Sequence, residues 1–332
     1  MPSTRRAGQP MNEPIARYGE SAMILPLRCA LAMSAMVPLG AAQAIGRALG
    51  TLFYVVAARQ RRRAVKNLVR SFPDLSRADA RRTARRVFRN VGMNQLEMLR
   101  WMAGRAGQLK ERIVVTGLEH AEAGLARGAG VIALTAHVGN WDLLALWAAS
   151  RWPLTIISKD IKHSVLNAFW MEKRRQEGLK IVAARNSYRA CLAALKRGEM
   201  LGFILDQNMI RRDGIFVDFF GRAASTSPGL AMLSAHSRAP VMPAFMLRRR
   251  DGRNEVRMLP LLEPPASRKP DAVAAATQQY TRIIEEVVRQ HADQWIWMHR
   301  RWRTQPVDAR RDASGQPSMR GQPPAPTSRA GM

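Results

Sequence analysis

A chain of 332 residues with 47% hydrophobic content can bury a sizeable core and fits one α/β catalytic domain of roughly 200 to 250 residues with terminal extensions. Its two cysteines, Cys29 and Cys191, sit in unrelated contexts, which excludes a disulfide framework and a Cys-based zinc site and is compatible with a reducing compartment. The formal charge of +28, from 53 basic and 25 acidic residues, suits partners that are phosphates, acidic proteins or anionic membranes; with only eight lysines, part of the excess reflects an Arg-heavy composition.

Residues 1–15 read as disordered and residues 16–60 as a membrane-associated helical segment. Between Arg28 and Arg47 lie 18 uncharged residues, CALAMSAMVPLGAAQAIG, and a second uncharged run, ALGTLFYVVAA, ends at Arg59. The first run is barely long enough to cross a bilayer, and Pro38, Gly40, Gln43 and Gly46 weaken it, so a single span and an interfacial helix are both open. The late start of the apolar stretch argues against a cleaved signal peptide.

The catalytic domain is expected over 61–306, beginning with a basic helical region at 61–105. RQRRRAVKNLVR (59–70) is a juxtamembrane cluster able to gain about 1 kcal/mol per basic residue at an anionic surface, and the positive-inside rule assigns it to the cytoplasmic side. The next helix, capped by Asp74 or Ser76, gathers Ala80, Ala84, Val87, Phe88 and Val91 on a packing arc. Arg81, Arg82, Arg85, Arg86 and Arg89 lie on a neighbouring cationic arc. An acidic carrier protein, a phosphorylated headgroup or the membrane itself would each suit that face.

Over 110–306 short apolar runs alternate with amphipathic stretches, which predicts an α/β core with a sheet flanked by helices. The strand candidates are RIVVTG, GVIALTA, LTIIS, LKIVAA, MLGFIL, IFVDFF and APVMPAFML, with helices near 140–151, 163–177, 187–197 and 228–237. In VIALTAHVGNWD (131–142) a strand delivers His137, Gly139 permits a tight turn, Asn140 caps a helix, and Asp142 falls in its first turn. Folding back at Gly139 would let the Asp142 carboxylate reach one imidazole nitrogen and leave the other as a base. Such a pair suits acyl transfer to an alcohol, with amides at the helix start helping to hold the oxyanion. No GxSxG elbow is present, and neither cysteine lies near the histidine, so direct transfer without an acyl-enzyme is the simpler mechanism.

AHVGNWD resembles the H-x-x-x-x-D/E box of the glycerolipid acyltransferase superfamily. With RRRAVKNLVRSFPDLS, ARNSYRACLAALKRGEMLGFILDQN, GIFVDFFGRAASTSPGLAMLSAHSRAPVMPAF and QWIWMHRRWRTQP, the pattern is similar to the lipid A secondary acyltransferases. That resemblance implies a glycerolipid acyltransferase-like fold with a mixed sheet. It further implies transfer from an acyl carrier protein thioester to a lipid A precursor at the cytoplasmic face of the inner membrane, with no metal or dissociable cofactor. Many members carry Glu where this chain has Asp142, and the Asp form also occurs in relatives that acylate phosphatidylinositol mannosides, so another glycolipid or a lysophospholipid is the alternative acceptor.

Asp206 and Gln207 close an apparent strand, where site residues collect, and the resemblance places Asp206 in an active-site block. Arg174, Arg175 and Arg185 offer forked donors for phosphate or carrier groups, the resemblance favouring Arg185. Phe219, Phe220 and Gly221 shape a turn beside the acyl path or pack in the core. WIWMHRRW combines aromatics and cations suited to an interface, with His299 read as structural. The basic stretches carry few stacking aromatics and no recognition motif, so nucleic acid is not an expected partner. Residues 307–332, rich in Arg, Gly, Pro, Ser and Gln, read as a disordered tail.

Overall fold

The computed structural model describes residues 24–158, 165–184 and 187–306; Arg185 and the two terminal tails lie outside the described residues. Helices α1 (Ile24–Met36) and α2 (Leu39–Val56) are separated at Pro38, so the first uncharged run is not one rod. By length and composition α2 could cross a membrane. One of its faces, however, carries the buried Ala42, Gln43, Gly46 and Gly50 and packs on α4 (Arg77–Arg100). Glycines make that approach possible: a Cβ on Gly50 would sit 2.3 Å from the Phe88 carbonyl oxygen, and one on Gly92 2.1 Å from that of Gly46. The other face of α2 exposes Ile45, Leu49, Leu52, Phe53, Val55 and Val56.

Helix α3 (Ala58–Ser71) carries the basic cluster and buries Ala64, Asn67 and Leu68. Ser76 caps α4, its hydroxyl accepting the Asp79 N–H at 3.1 Å. Ala80, Ala84, Val87 and Phe88 point inward as their spacing predicts, while Arg81, Arg82, Arg85 and Arg86 are exposed. A kinked segment (Trp101–Arg105), broken where Gly104 takes φ +79°, and the short α5 (Ala106–Lys110) lead into the core.

That core is a seven-stranded mixed sheet in the order β1-β9-β8-β2-β5-β3-β4. Its strands are β1 (Ile113–Thr116), β2 (Val131–Thr135), β3 (Leu154–Ser158), β4 (Lys180–Ala183), β5 (Met200–Ile204), β8 (Val241–Arg248) and β9 (Asn254–Met258). Five strands are mutually parallel; β9 runs antiparallel to β8, and β1 follows β9. IFVDFF does not join this sheet, because β6 (Ile215–Asp218) pairs with β7 (Ala223–Thr226) as a separate hairpin.

Connecting helices α6 (Leu118–Ala126), α7 (Trp141–Ala149), α8 (Val165–Gln176), α9 (Tyr188–Lys196) and α10 (Gly229–Ser237) precede the long α11 (Pro270–Gln290). Alternate strand residues feed two cores. Val131, Met200, Met242 and Met246 pack with Leu143 and Leu146 of α7, whereas Ile132, Leu201, Val241 and Phe245 pack with Leu230, Tyr280 and Ile284 of α10 and α11. Trp295, Trp297 and Trp302 join the second core instead of an interface. Trp295 and Trp297 are 1% and 0% exposed, in edge contact with Phe219 and Phe220 at 5.6 Å. Fully burying apolar side chains of this size is worth about 2–3 kcal/mol each.

Candidate active site

The register of β2 against β5 places His137. Val131 through Thr135 oppose Met200 through Ile204 in parallel, and the same offset of 69 residues carries His137 to Asp206 just beyond the carboxyl ends of both strands. The Asp206 carboxylate accepts the His137 backbone N–H at 2.8 Å and the Trp295 indole N–H at 2.7 Å, and its Oδ1 lies 2.7 Å from His137 Nδ1. This fixes the neutral ring with its proton on Nδ1 and leaves the Nε2 lone pair free. Asp206 is 3% exposed and His137 23%. Burial opposes charging of His137, but Asp206, through its charge and hydrogen bond, and then Asp142 raise its pKa above the ordinary histidine value. Burial also works against the Asp206 carboxylate, yet His137 and Trp295 hold it ionised well below the usual carboxylate range.

Beyond the histidine the chain turns where the sequence places Gly139, at φ +61°. A Cβ there would lie 1.8 Å from the Met246 carbonyl oxygen, so only glycine fits. The Gly139 and Asn140 N–H groups donate to the carbonyls of Gln294 (2.9 Å) and Met246 (2.8 Å), and the buried Asn140 side chain caps α7 by accepting the Leu143 N–H at 3.2 Å. The first-turn amides without an acceptor among the described residues are therefore those of Trp141 and Asp142.

Asp142 sits in that turn but does not orient the ring. It forms an ion pair with Arg174 of α8, the two side chains being 17% and 13% exposed, and acts on His137 through its field. Arg174 is thus paired with a carboxylate where it lines the cavity. Arg175 pairs with Glu172 on the surface of α8 at 3.5 Å. Gln207 lines the cavity described below, and its carbonyl accepts from the buried Arg301 at 3.1 Å.

His137, Trp141, Asp142, Arg174 and Gln207 ring one end of a cavity of about 630 Å³ that runs between the sheet and α7. Its walls are mainly apolar: Ala133, Ile156, Gly202 and Ala244 from four strands and Leu144 and Trp147 of α7 line it, with hydroxyls from Thr135, Ser158, Tyr188 and Ser227. Such a volume and lining fit a small-molecule site with a few polar groups at one end. Phe219 and Phe220 lie in the second core and not on this wall. Among the described residues no group of three or more His, Cys, Asp or Glu side chains is placed to hold a metal.

The sequence model of the bacterial lipid A biosynthesis acyltransferases matches residues 20–304. The chain belongs to that family. A lipid A biosynthesis acyltransferase of Haemophilus influenzae is 26% identical over 278 residues, 82% of this chain and 85% of its own. The lipid A biosynthesis lauroyltransferase of Escherichia coli is 25% identical over 267 residues, covering 79% and 85%. A phosphatidylinositol mannoside acyltransferase of Mycobacterium tuberculosis is 25% identical over 232 residues, covering 68% and 69%.

The chain is thus an O-acyltransferase of the lipid A biosynthesis family, and its site contains two features that its local sequence did not disclose. One is Trp295 as a ligand of Asp206; its only sequence signal is the WIWMHRRW block, whose aromatics resemble an interfacial belt. The other is the buried Thr135 hydroxyl on the cavity wall two residues before His137, without a hydrogen-bond partner among the described residues. In this acyltransferase His137 and the carboxylate bonded to it follow the ends of neighbouring strands.

Proposed function

We propose that this acyltransferase moves a fatty acyl chain from an acyl carrier protein thioester directly onto a hydroxyl of a lipid A precursor. The observation that carries this reading is a histidine fixed by a buried carboxylate at the polar end of an apolar cavity. The acyl chain occupies the cavity, with its thioester carbonyl at His137. As the acceptor oxygen attacks, Nε2 takes the hydroxyl proton, and Asp206 stabilises the imidazolium. The Trp141 and Asp142 amides receive the oxyanion. Collapse breaks the carbon–sulfur bond, and the imidazolium returns the proton to the departing thiolate.

The α2–α4 pair supports an interfacial rather than a spanning placement. A spanning α2 would draw α4 and its exposed arginines into hydrocarbon, at about 2.5–3.5 kcal/mol or more for each charge. Lying in the interface instead, α2 buries Ile45, Leu49, Leu52 and Phe53 among acyl chains while the arginines of α3 and α4 reach anionic headgroups. We place this surface on the cytoplasmic face of the inner membrane, where the acyl carrier protein is available as donor.

A second reading, a phosphatidylinositol mannoside-like acceptor, draws on Asp142 and on the mycobacterial relative. One experiment separates the two. Purified protein in detergent is given acyl carrier thioesters of several lengths with either a tetra-acylated lipid A precursor or a phosphatidylinositol mannoside, and product mass is read. A penta-acylated product in the first arm supports the proposal; product in the second arm alone transfers it to the other acceptor. An isolated acyl-enzyme would overturn direct transfer.

A further inference from the structure

Glu97 lies in α4, outside the cavity, with a side chain 1% exposed. Its carboxylate accepts five donors. Oε1 takes Gln43 Nε2 at 2.8 Å and Arg248 Nη1 at 2.6 Å; Oε2 takes Arg248 Nη2 at 2.8 Å, Asn140 Nδ2 at 2.9 Å and Asn254 Nδ2 at 3.0 Å. Burial opposes its charge, but Arg248 and the amide donors keep its pKa below the ordinary glutamate value. Asn94, one helical turn earlier, accepts from Arg248 Nη2 at 2.9 Å and donates to the Gly139 carbonyl at 2.6 Å. One turn of α4 therefore grips two successive residues, Gly139 and Asn140, of the segment joining His137 to Asp142.

Asn140 is used at both ends: its amide N–H reaches Glu97 and its amide oxygen caps α7. A buried ion pair is weak evidence for stability, since apolar replacements often serve as well, so its geometry is the more informative property. Here every hydrogen-bonding direction of the carboxylate converges on the catalytic turn, β8, β9 and, through Gln43, the outer helix α2.

We propose that Glu97 is a positioning residue of acyl transfer, holding Asn140 so that His137 and the first turn of α7 meet the thioester together. A misplacement of about 1 Å in such a turn can cost about 10²-fold in rate without altering how substrate is held elsewhere. The activity readout rests on the acyl-transfer reading; a second readout does not.

The test is an exchange cycle. Asn140→Asp keeps the cap on Leu143 but turns a second carboxylate toward Glu97, while Glu97→Gln turns an amide toward donors. The double variant, Glu97→Gln with Asn140→Asp, restores one carboxylate facing one amide. Each single change is expected to lower kcat about 10²-fold with KM for the thioester within about twofold, and the double variant to recover about tenfold or more over either single one. Additive losses, a KM effect alone, or a fall in thermal midpoint without a fall in kcat would overturn the proposal. Independently of turnover, ¹⁵N-histidine spectra should show one neutral His137 tautomer in the wild-type protein and mixed tautomers in both single variants; unchanged spectra overturn it too. A wild-type protein that transfers nothing would instead sink the acyl-transfer reading, leaving the spectra to decide the role of Glu97.

Discussion

Asp142 and Asp206 offer His137 two kinds of partner. Asp142 is five residues away in sequence, sits in the first turn of α7 and spends its charge on Arg174. Asp206 is 69 residues away, yet it is adjacent in the sheet, nearly inaccessible, and directly hydrogen-bonded to the ring. Proximity along a chain selects candidates, but strand order selects contacts. The site therefore has an orienting carboxylate from β5 and a field-generating carboxylate from α7, and removing each should have a different signature.

His137→Ala removes what both carboxylates serve and should have the largest effect, a loss of about 10³- to 10⁴-fold in kcat with the protein still folded, checked by steady-state transfer and circular dichroism. Near wild-type turnover would dismiss the whole arrangement.

Asp206→Asn should come next, lowering kcat by about 10³-fold because the ring loses its orienting acceptor and the imidazolium its counter-charge. Its pH dependence carries the sign. The base works only when neutral, so wild-type kcat/KM should rise with pH through the raised His137 pKa. Without Asp206 the opposing effect of burial dominates, and the acid limb should move to lower pH. Stability follows the same pair. The depressed Asp206 pKa stabilises the fold above its unfolded value of about 3.9 and is lost on acidification, whereas the raised His137 pKa stabilises it below about 6.5 and is lost as pH rises through the folded value. Thermal midpoints of wild type and variant should differ most between those two limits.

Asp142→Asn should be milder, about 10- to 50-fold in kcat, equivalent to ~1.4–2.3 kcal/mol of barrier. It leaves the Asp206 contact intact but removes one negative field and frees the positive charge of Arg174, so the acid limb should again move down, by less than in Asp206→Asn. A loss larger than that of Asp206→Asn would reverse the assignment of roles.

Much of the fold is legible in the residues, for reasons that also define what is not. LTIIS forms β3 over its full length, and the VIALT run, the Gly139 turn and the Asn140 cap all form as their residue types require. The apolar-run reading yields no strand at NEVRM, because β9 buries the polar Asn254 and Glu255; Asn254 donates to Glu97, far away in the chain, and Glu255 pairs with the nearby Arg249 and Arg257. It also misses α11, although Val273, Tyr280, Ile284 and Val287 recur at helical spacing after Pro270, because Ala, Thr and Gln dilute the stripe. The candidate base, His137, is visible locally. Its carboxylate is not, since nothing in DQN states that β5 lies beside β2.

Trp295→Phe is the smallest and most discriminating change. Phenylalanine keeps an aromatic ring against Phe219 and Trp297 but deletes the indole N–H that Asp206 accepts. The indole N–H helps to hold the Asp206 carboxylate in the orientation that fixes the ring, and the misalignment caused by its loss should lower kcat about 10-fold. A carboxylate deprived of one donor is more basic and binds the imidazolium more tightly, so the His137 pKa should rise and the acid limb of kcat/KM should move to higher pH. That direction is opposite to the shift expected for Asp206→Asn and Asp142→Asn. A downward shift would mean that Trp295 acts by packing alone, whereas an upward one identifies it as the third member of a His137–Asp206–Trp295 relay of hydrogen bonds drawn from two adjacent strands and the C-terminal segment.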